Sequence, residues 1–159
     1  MRTNMTQYEI RQAVSADAEA IARQRVRMFA DMGEIDETTA VAVESVTLAR
    51  LKVELVTGAY RGWVAEADGA VVAGAGTILH PYYPNAKNPL GRPAAHIFNV
   101  YTDPAHRGRG LARTLVIAVL EWARADGLRV SNLHASNAGR PIYEKLGFVQ
   151  TNEMRIDLA

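Results

Sequence analysis

The chain has 159 residues, 48% of them hydrophobic and 22% charged, the size and composition of one folded domain, residues 1–159, around a single core. A formal net charge of +1 gives no strong pull toward nucleic acid or a membrane surface, and no apolar run is long enough to span a bilayer. The absence of cysteine excludes disulfides and acyl-cysteine chemistry, and with a polar Met1–Ile10 segment unlike a signal peptide it fits a reducing, cytoplasmic setting.

The first strand is expected at about Tyr8–Ala13. A helix follows from about Ser15 to Phe29, with Ser15 as N-cap and Ala18, Ile21, Ala22, Val26 and Phe29 as its apolar stripe. After Gly33 a second helix runs from roughly Glu37 to Val56, with Val43, Val46, Leu51 and Leu55 at helical spacing and Gly58 at its end. The period then changes to two. Gly62–Ala67 and Ala70–His80 read as strands joined by the hairpin pair Asp68-Gly69. Pro81 to Pro93 holds four of the six prolines and reads as a loop. Ala94–Thr102 is the next strand. Arg109 to Asp126 is a long apolar helix through Leu111, Leu115, Val119 and Trp122, stopped by Gly127. A strand at about Arg129–His134 and a short helix ending at Gly147 follow. Phe148 to Leu158 supplies one or two terminal strands. Antiparallel hairpins followed by strand–helix–strand imply an α/β fold: a mixed, partly antiparallel twisted sheet of about six to seven strands with about four helices on its faces.

The stretch richest in chemistry is Val100-Tyr101-Thr102-Asp103-Pro104-Ala105-His106-Arg107-Gly108-Arg109-Gly110-Leu111-Ala112-Arg113. A strand ends near Thr102 and a helix starts near Arg109. The first N–H groups of a helix have no internal partner, and the helix dipole favours an anion there. Gly108 and Gly110 let a ligand approach the backbone. Arg107, Arg109 and Arg113 add positive charge. The combination makes a pyrophosphate site. The bland alternative is a glycine-containing loop with solvated arginines, which the strand-to-helix context weakens. A Rossmann dinucleotide loop fits poorly, because Gly108-x-Gly110-x-x-Arg113 lacks the third glycine and follows antiparallel strands.

This segment resembles the cofactor motif of the GNAT superfamily of N-acetyltransferases: Arg107, Gly110 and Ala112 match it, with Asp103-Pro104 before them. Pro141-Ile142-Tyr143-Glu144-Lys145-Leu146-Gly147-Phe148 is similar to the family's second signature, a tyrosine on a short helix followed by Gly-Phe. The resemblance is strong over about Ala94–Val149 and rests on element order before that. It implies acetyl-CoA as acyl donor, held where two neighbouring parallel strands splay apart. The pantetheine arm would pair with Val100, Tyr101 and Thr102, and the pyrophosphate would meet the amides of Gly108, Arg109, Gly110, Leu111, Ala112 and Arg113. A primary amine would attack the thioester directly through a tetrahedral intermediate, with no metal. Where the family often has an asparagine seven residues before the tyrosine, this chain has Ser136, followed by Asn137; either can contact the cofactor. Pro141 belongs in a first helical turn, so that helix starts no earlier than about Ala138.

Tyr143 is either a core aromatic or, as the resemblance implies, the acid that protonates the departing thiolate. His96 shares a face with Phe98, Val100 and Thr102 by alternation, unless a bulge intervenes. Some family members carry a general-base carboxylate at the matching place, and a histidine titrates in the range suited to taking a proton from an ammonium. The competing reading is a hydrogen-bonded strand histidine. His80, His106 and His134 are expected in loops or at the surface, and no His/Asp/Glu cluster has metal-ligand spacing. Asp31 to Val46 contains five acidic residues (Asp31, Glu34, Asp36, Glu37, Glu44) and no Lys or Arg. It is either a solvated acidic loop or an acidic rim for a cationic acceptor, with Tyr82 and Tyr83 as another wall. The acceptor amine, a small molecule or a protein, is not legible. The other function classes open at this point are a non-catalytic acyl-CoA-binding or regulatory domain of the same fold, and a nucleotide-binding module. Homodimers are common in the family, so the resemblance also allows a homodimer.

Overall fold

In a computed structural model, residues 7–158 are described. The elements run in chain order as β1 (Glu9–Gln12), a single 3-10 turn (Ser15–Asp17), α1 (Ala18–Asp31), α2 (Glu37–Thr57), β2 (Tyr60–Ala67) and β3 (Ala70–His80). They continue as β4 (Ala94–Thr102), a second 3-10 turn (Pro104–His106), α3 (Leu111–Ala125), β5 (Ser131–Leu133) and α4 (Arg140–Lys145). The strands form one sheet in the order β1-β2-β3-β4-β5, antiparallel up to β4 and parallel between β4 and β5. The fold is thus a mixed α/β sheet with four α-helices.

Two corrections follow. Among the described residues the sheet has five strands rather than six or seven. The missing ones are the terminal strands expected in Phe148–Leu158: residues 149–158 join no strand, and Val149, Met154, Ile156 and Leu158 stay mostly exposed. Their alternation suits a strand, but a strand needs a neighbour, and β5 offers only three residues of pairing. Ser15 is not an N-cap either. The junction is closed by Asp17, whose Oδ2 accepts from the Val14 N–H at 2.8 Å. Arg11 of β1 donates to both Asp17 oxygens, at 2.8 and 2.9 Å, and to Glu66 Oε2 of β2. This ion triad fastens the start of α1 to the sheet.

The hairpin pair behaves as its residues demand. Asp68 (φ 51°) and Gly69 (φ 76°) both lie in the left-handed region, as a two-residue type I′ turn requires, and Ala67 pairs with Ala70. The sheet has a core on each face. On one, Ile97 and Ala75 pack under Leu111, Leu115, Val116 and Val119 of α3 and Tyr143 of α4. On the other, Tyr60 and Val64 pack under Ile21 and Ala22 of α1 and Leu51 of α2.

Candidate active site

Two irregularities of β4 build the site. The first is a bulge. Gly74 of β3 pairs with Tyr101 but Gly76 pairs with Phe98, so β4 carries an extra residue there, and Asn99 takes a left-handed φ of 54°. Asparagine is among the few side chains that tolerate this region. The bulge breaks the expected alternation: Phe98 packs toward α1 and α2, whereas Val100 packs against the α3 core. His96 and Phe98 therefore do not share a face with Val100. The second irregularity is a divergence. β5 pairs with β4 only from Ala95 to Ile97, so from Phe98 to Thr102 the β5-side edge of β4 has no strand partner. Val100, Tyr101 and Thr102 lie in this open stretch, where a ligand can supply the missing partner.

The loop after β4 is held at both ends. Asp103 N–H bonds to Val72 O at 2.8 Å. Arg107 donates through Nε to Thr102 O at 2.9 Å and through Nη2 to Asp31 Oδ2 at 2.5 Å, with its guanidinium 5.6 Å from the Tyr101 ring centre. Arg107 thus anchors the loop to the end of β4 and the end of α1. Arg109 lies 5.9 Å from the Tyr8 ring centre, and Arg113 is exposed. The first N–H that closes a helical bond in α3 is that of Thr114, to Gly110 O at 3.0 Å. Among the described residues the consecutive amides from Gly108 to Arg113 have no protein acceptor. Gly108 (φ 73°) and Gly110 (φ 76°) turn the chain through the left-handed region, and a Cβ on either would meet nothing within 4 Å. The cradle is open, lined with unspent donors and flanked by cations. Its donor set fits a pyrophosphate.

Tyr143 projects from α4 into the α3-face core, 8% exposed, edge-on to Phe148 with ring centres 6.0 Å apart. Burial raises its pKa above the ordinary phenol value, so it stays a proton donor. Among the described residues its hydroxyl bonds to no protein group. The ring rests on Gly139, where a Cβ would come within 2.8 Å of Cε2. Ser136 Oγ accepts from the Gly139 N–H at 3.1 Å and so closes the turn into α4, while Asn137 is exposed. Of the two, Asn137 has the freer side chain.

His96 is half-buried. Its Nδ1 lies 2.7 Å from Asn132 Oδ1 on β5; with that oxygen accepting, the proton sits on Nδ1 and Nε2 keeps its lone pair. Burial pushes its pKa below the ordinary imidazole value; the Asn132 bond opposes this, and the neighbouring His80 and His134 add to the depression. His80 is not in a loop. It ends β3, half-buried, and stacks on His96 at 4.3 Å between ring centres, while His134 approaches His96 edge-on at 5.4 Å. Two residues read from the sequence alone as solvent-side thus form part of the His96 surroundings, a long-range contact with no local signature. Among the described residues no group of three or more His, Asp or Glu is placed to hold a metal ion.

The acidic stretch divides. Asp31 is paired with Arg107, and Asp36 caps α2 by accepting from the Thr39 N–H at 2.7 Å. Glu34 is exposed, and so are Tyr82 and Tyr83 in the loop after β3. A shallow cleft bordered by Tyr8, Ile10, Glu66 and Asp68 lies at the other edge of the sheet and gathers none of the expected site residues. No helix among the described residues is long and apolar enough to cross a membrane.

Comparison with known proteins identifies the family. A family model described as the acetyltransferase (GNAT) family matches residues 27–148. The chain is 26% identical over 157 residues to a glucosamine 6-phosphate N-acetyltransferase of Trypanosoma brucei brucei, covering 98% of this chain and 99% of that protein. The crystal structure of a GCN5-related N-acetyltransferase from Ralstonia eutropha superposes with a TM-score of 0.89 at 32% identity, covering 96% of this chain and 99% of that one. A predicted acetyltransferase from Clostridium acetobutylicum, crystallised with acetyl-CoA, gives 0.86 at 25% identity, covering 96% and 97%. With residues 27–148 matched by the family model and 96% of its length by a structure 32% identical, the chain belongs to the acetyltransferase (GNAT) family and is an acyltransferase.

Proposed function

We propose that the protein transfers the acetyl group of acetyl-CoA directly to a primary amine. The observation that carries this reading is the run of unbonded amides from Gly108 to Arg113 beside the open edge of β4. The edge at Val100, Tyr101 and Thr102 suits the amide groups of a pantetheine arm, and the loop amides with Arg109 and Arg113 suit the pyrophosphate. Asn137, whose side chain is the freer, or Ser136 beside it would supply a further polar contact to the cofactor. Acetyl-CoA supplies an activated acyl carbon and a thiolate leaving group. The similarity to an N-acetyltransferase of nearly equal length, and to a structure holding acetyl-CoA, supports both donor and reaction.

The remaining chemistry falls to side chains. The amine arrives largely as an ammonium and must lose a proton before it can attack. His96 Nε2, with its lone pair kept free by Asn132, takes that proton directly or through a water. As the new N–C bond forms and the C–S bond breaks, the Tyr143 hydroxyl donates its proton to the departing sulfur, and the surplus proton on the new amide nitrogen returns through water to the tyrosinate. Tyr82, Tyr83, Glu34 and Asp31 border the acceptor's approach in this reading. The test is to incubate the protein with acetyl-CoA and a panel of amines and to measure free CoA. Amine-dependent release is the expected result; CoA binding with no turnover on any amine would leave a binding domain instead.

A further inference from the structure

The proposal concerns Arg25 on α1 and rests on the acetyltransferase reading of the site. Arg25 is half-buried. Arg11, Arg27, Arg50, Arg107 and Arg155 all meet a carboxylate, but among the described residues none lies within ion-pair distance of Arg25. Its hydrogen-bond partner is neutral: Nη1 donates to Asn99 Oδ1 at 2.5 Å, at the bulge of β4. The guanidinium is 4.9 Å from the Phe29 ring centre and 5.6 Å from that of Phe98. Burial lowers its pKa; the nearby Tyr60 hydroxyl opposes this, and the like charge of Arg50 adds to the depression. A partly desolvated cation with most of its five donors unspent is costly unless something anionic completes it.

The location indicates what completes it. The same Phe98 ring neighbours His96, with ring centres 6.0 Å apart. Arg25 and His96 are therefore both neighbours of one aromatic ring, Phe98, which packs toward α1 and α2. Next to Arg25 in sequence, the Nε2 of buried Gln24 is the one buried side-chain polar atom without a partner among the described residues. Gln24 lies against Gly74, beside the same bulge.

We propose that Arg25 recognises an oxyanion, a carboxylate or a phosphate, carried by the acceptor a few bonds from its amine. The guanidinium then fixes one end of a short zwitterionic acceptor while the amine end reaches His96 across Phe98. This reverses the polarity expected from the acidic stretch, whose Asp31 and Asp36 already have partners.

The test uses matched acceptors: 2-aminoethyl phosphate against ethanolamine, and glycine against glycinamide. For each pair the ratio of kcat/KM, anionic over neutral, is compared between wild type and Arg25→Gln, so intrinsic amine reactivity cancels. Loss of a charge-assisted contact lowers that ratio by ~10–100-fold, mostly through KM. The pair that responds identifies carboxylate or phosphate. Equal losses for both members of each pair make Arg25 a scaffold for the bulge and overturn the proposal, as does an unchanged ratio. Arg25→Lys keeps the charge and restores part of the preference if recognition is electrostatic. If no amine is turned over by wild type, the acetyltransferase reading has failed. Calorimetry of inorganic phosphate with CoA-saturated protein then decides: binding by wild type that Arg25→Gln abolishes supports the anion site, and identical titrations reject it.

Discussion

Replacing Gly139 by Ala tests the placement of Tyr143 without touching it. Gly139 has ordinary right-handed backbone angles, φ −81° and ψ −28°, so alanine meets no conformational strain. The obstacle is steric. The new Cβ would lie 2.8 Å from Tyr143 Cε2, 3.3 Å from Cζ and 3.2 Å from Ser136 Oγ. Carbon atoms pack at ~3.5–4.0 Å, so the ring must retreat by ~1 Å. It has little room, being 8% exposed against Phe148 and the α3 core. Overpacking of this kind costs ~1–3 kcal/mol, roughly 2–4 °C of Tm for each kcal/mol in a chain of this size. A hydroxyl displaced by ~1 Å from a reacting sulfur lowers kcat by up to ~10²-fold. The assay is free-CoA release under saturating substrates, with CoA affinity and Tm measured in parallel. Tyr143→Phe, which keeps the ring and removes the donor, provides the companion. If both substitutions act through the same proton, the double variant loses little more kcat than Tyr143→Phe alone. A Gly139→Ala protein with wild-type kcat and wild-type Tm would refute the reasoning, and one with a lowered Tm but full kcat would make Tyr143 a packing residue.

Three further outcomes are expected. Gly110→Asp abolishes CoA binding by calorimetry while Gly110→Asn, equally strained at φ 76° but neutral, retains more of it; equal affinities for the two would remove the pyrophosphate from this loop. The His96 pKa is depressed, so kcat/KM rises with pH through an ionisation below ~6.5 and is flat above it, and His96→Gln lowers the rate and erases that limb with CoA affinity intact. An unchanged profile in the variant would take His96 out of the mechanism. Arg11→Met leaves the buried Asp17 carboxylate without its cation and lowers stability by ~3–5 kcal/mol in urea unfolding. Burial pushes the Asp17 pKa up, but the Arg11 and Val14 hydrogen bonds outweigh it and hold the value below the usual range. The wild-type contribution is thus present above ~3.9 and disappears as pH falls through the depressed folded value; acid unfolding of Arg11→Met that matches wild type would contradict this.

What could be read from sequence was what is local. The Asp68-Gly69 turn fixed a hairpin whose strands fall at Tyr60–Ala67 and Ala70–His80, and Ala94–Thr102 was found to the residue. The loop between Gly108 and Arg113 was recognisable because glycine spacing and a helix start are adjacent in the chain. The bulge was not. One asparagine with positive φ has no periodic signature, and its effect is to shift which side chains share a face. The alternation of Met154, Ile156 and Leu158 misled for the opposite reason: a strand pattern is local, but a strand exists only with a partner. Nor is the Arg107 tie legible in sequence: its bonds run to Thr102 and to Asp31, the latter 76 residues away.

That Arg107 tie has a thermodynamic corollary. Because the guanidinium clamps the loop to β4 and to the end of α1, the loop's backbone freedom is surrendered when the chain folds, before any CoA arrives. If this loop receives the pyrophosphate as proposed, association begins from donors already in array, with a small entropic penalty and a rate limited by encounter rather than by loop closure. Cutting the tie by Asp31→Asn should leave the loop amides themselves unchanged and show itself as slower capture of CoA.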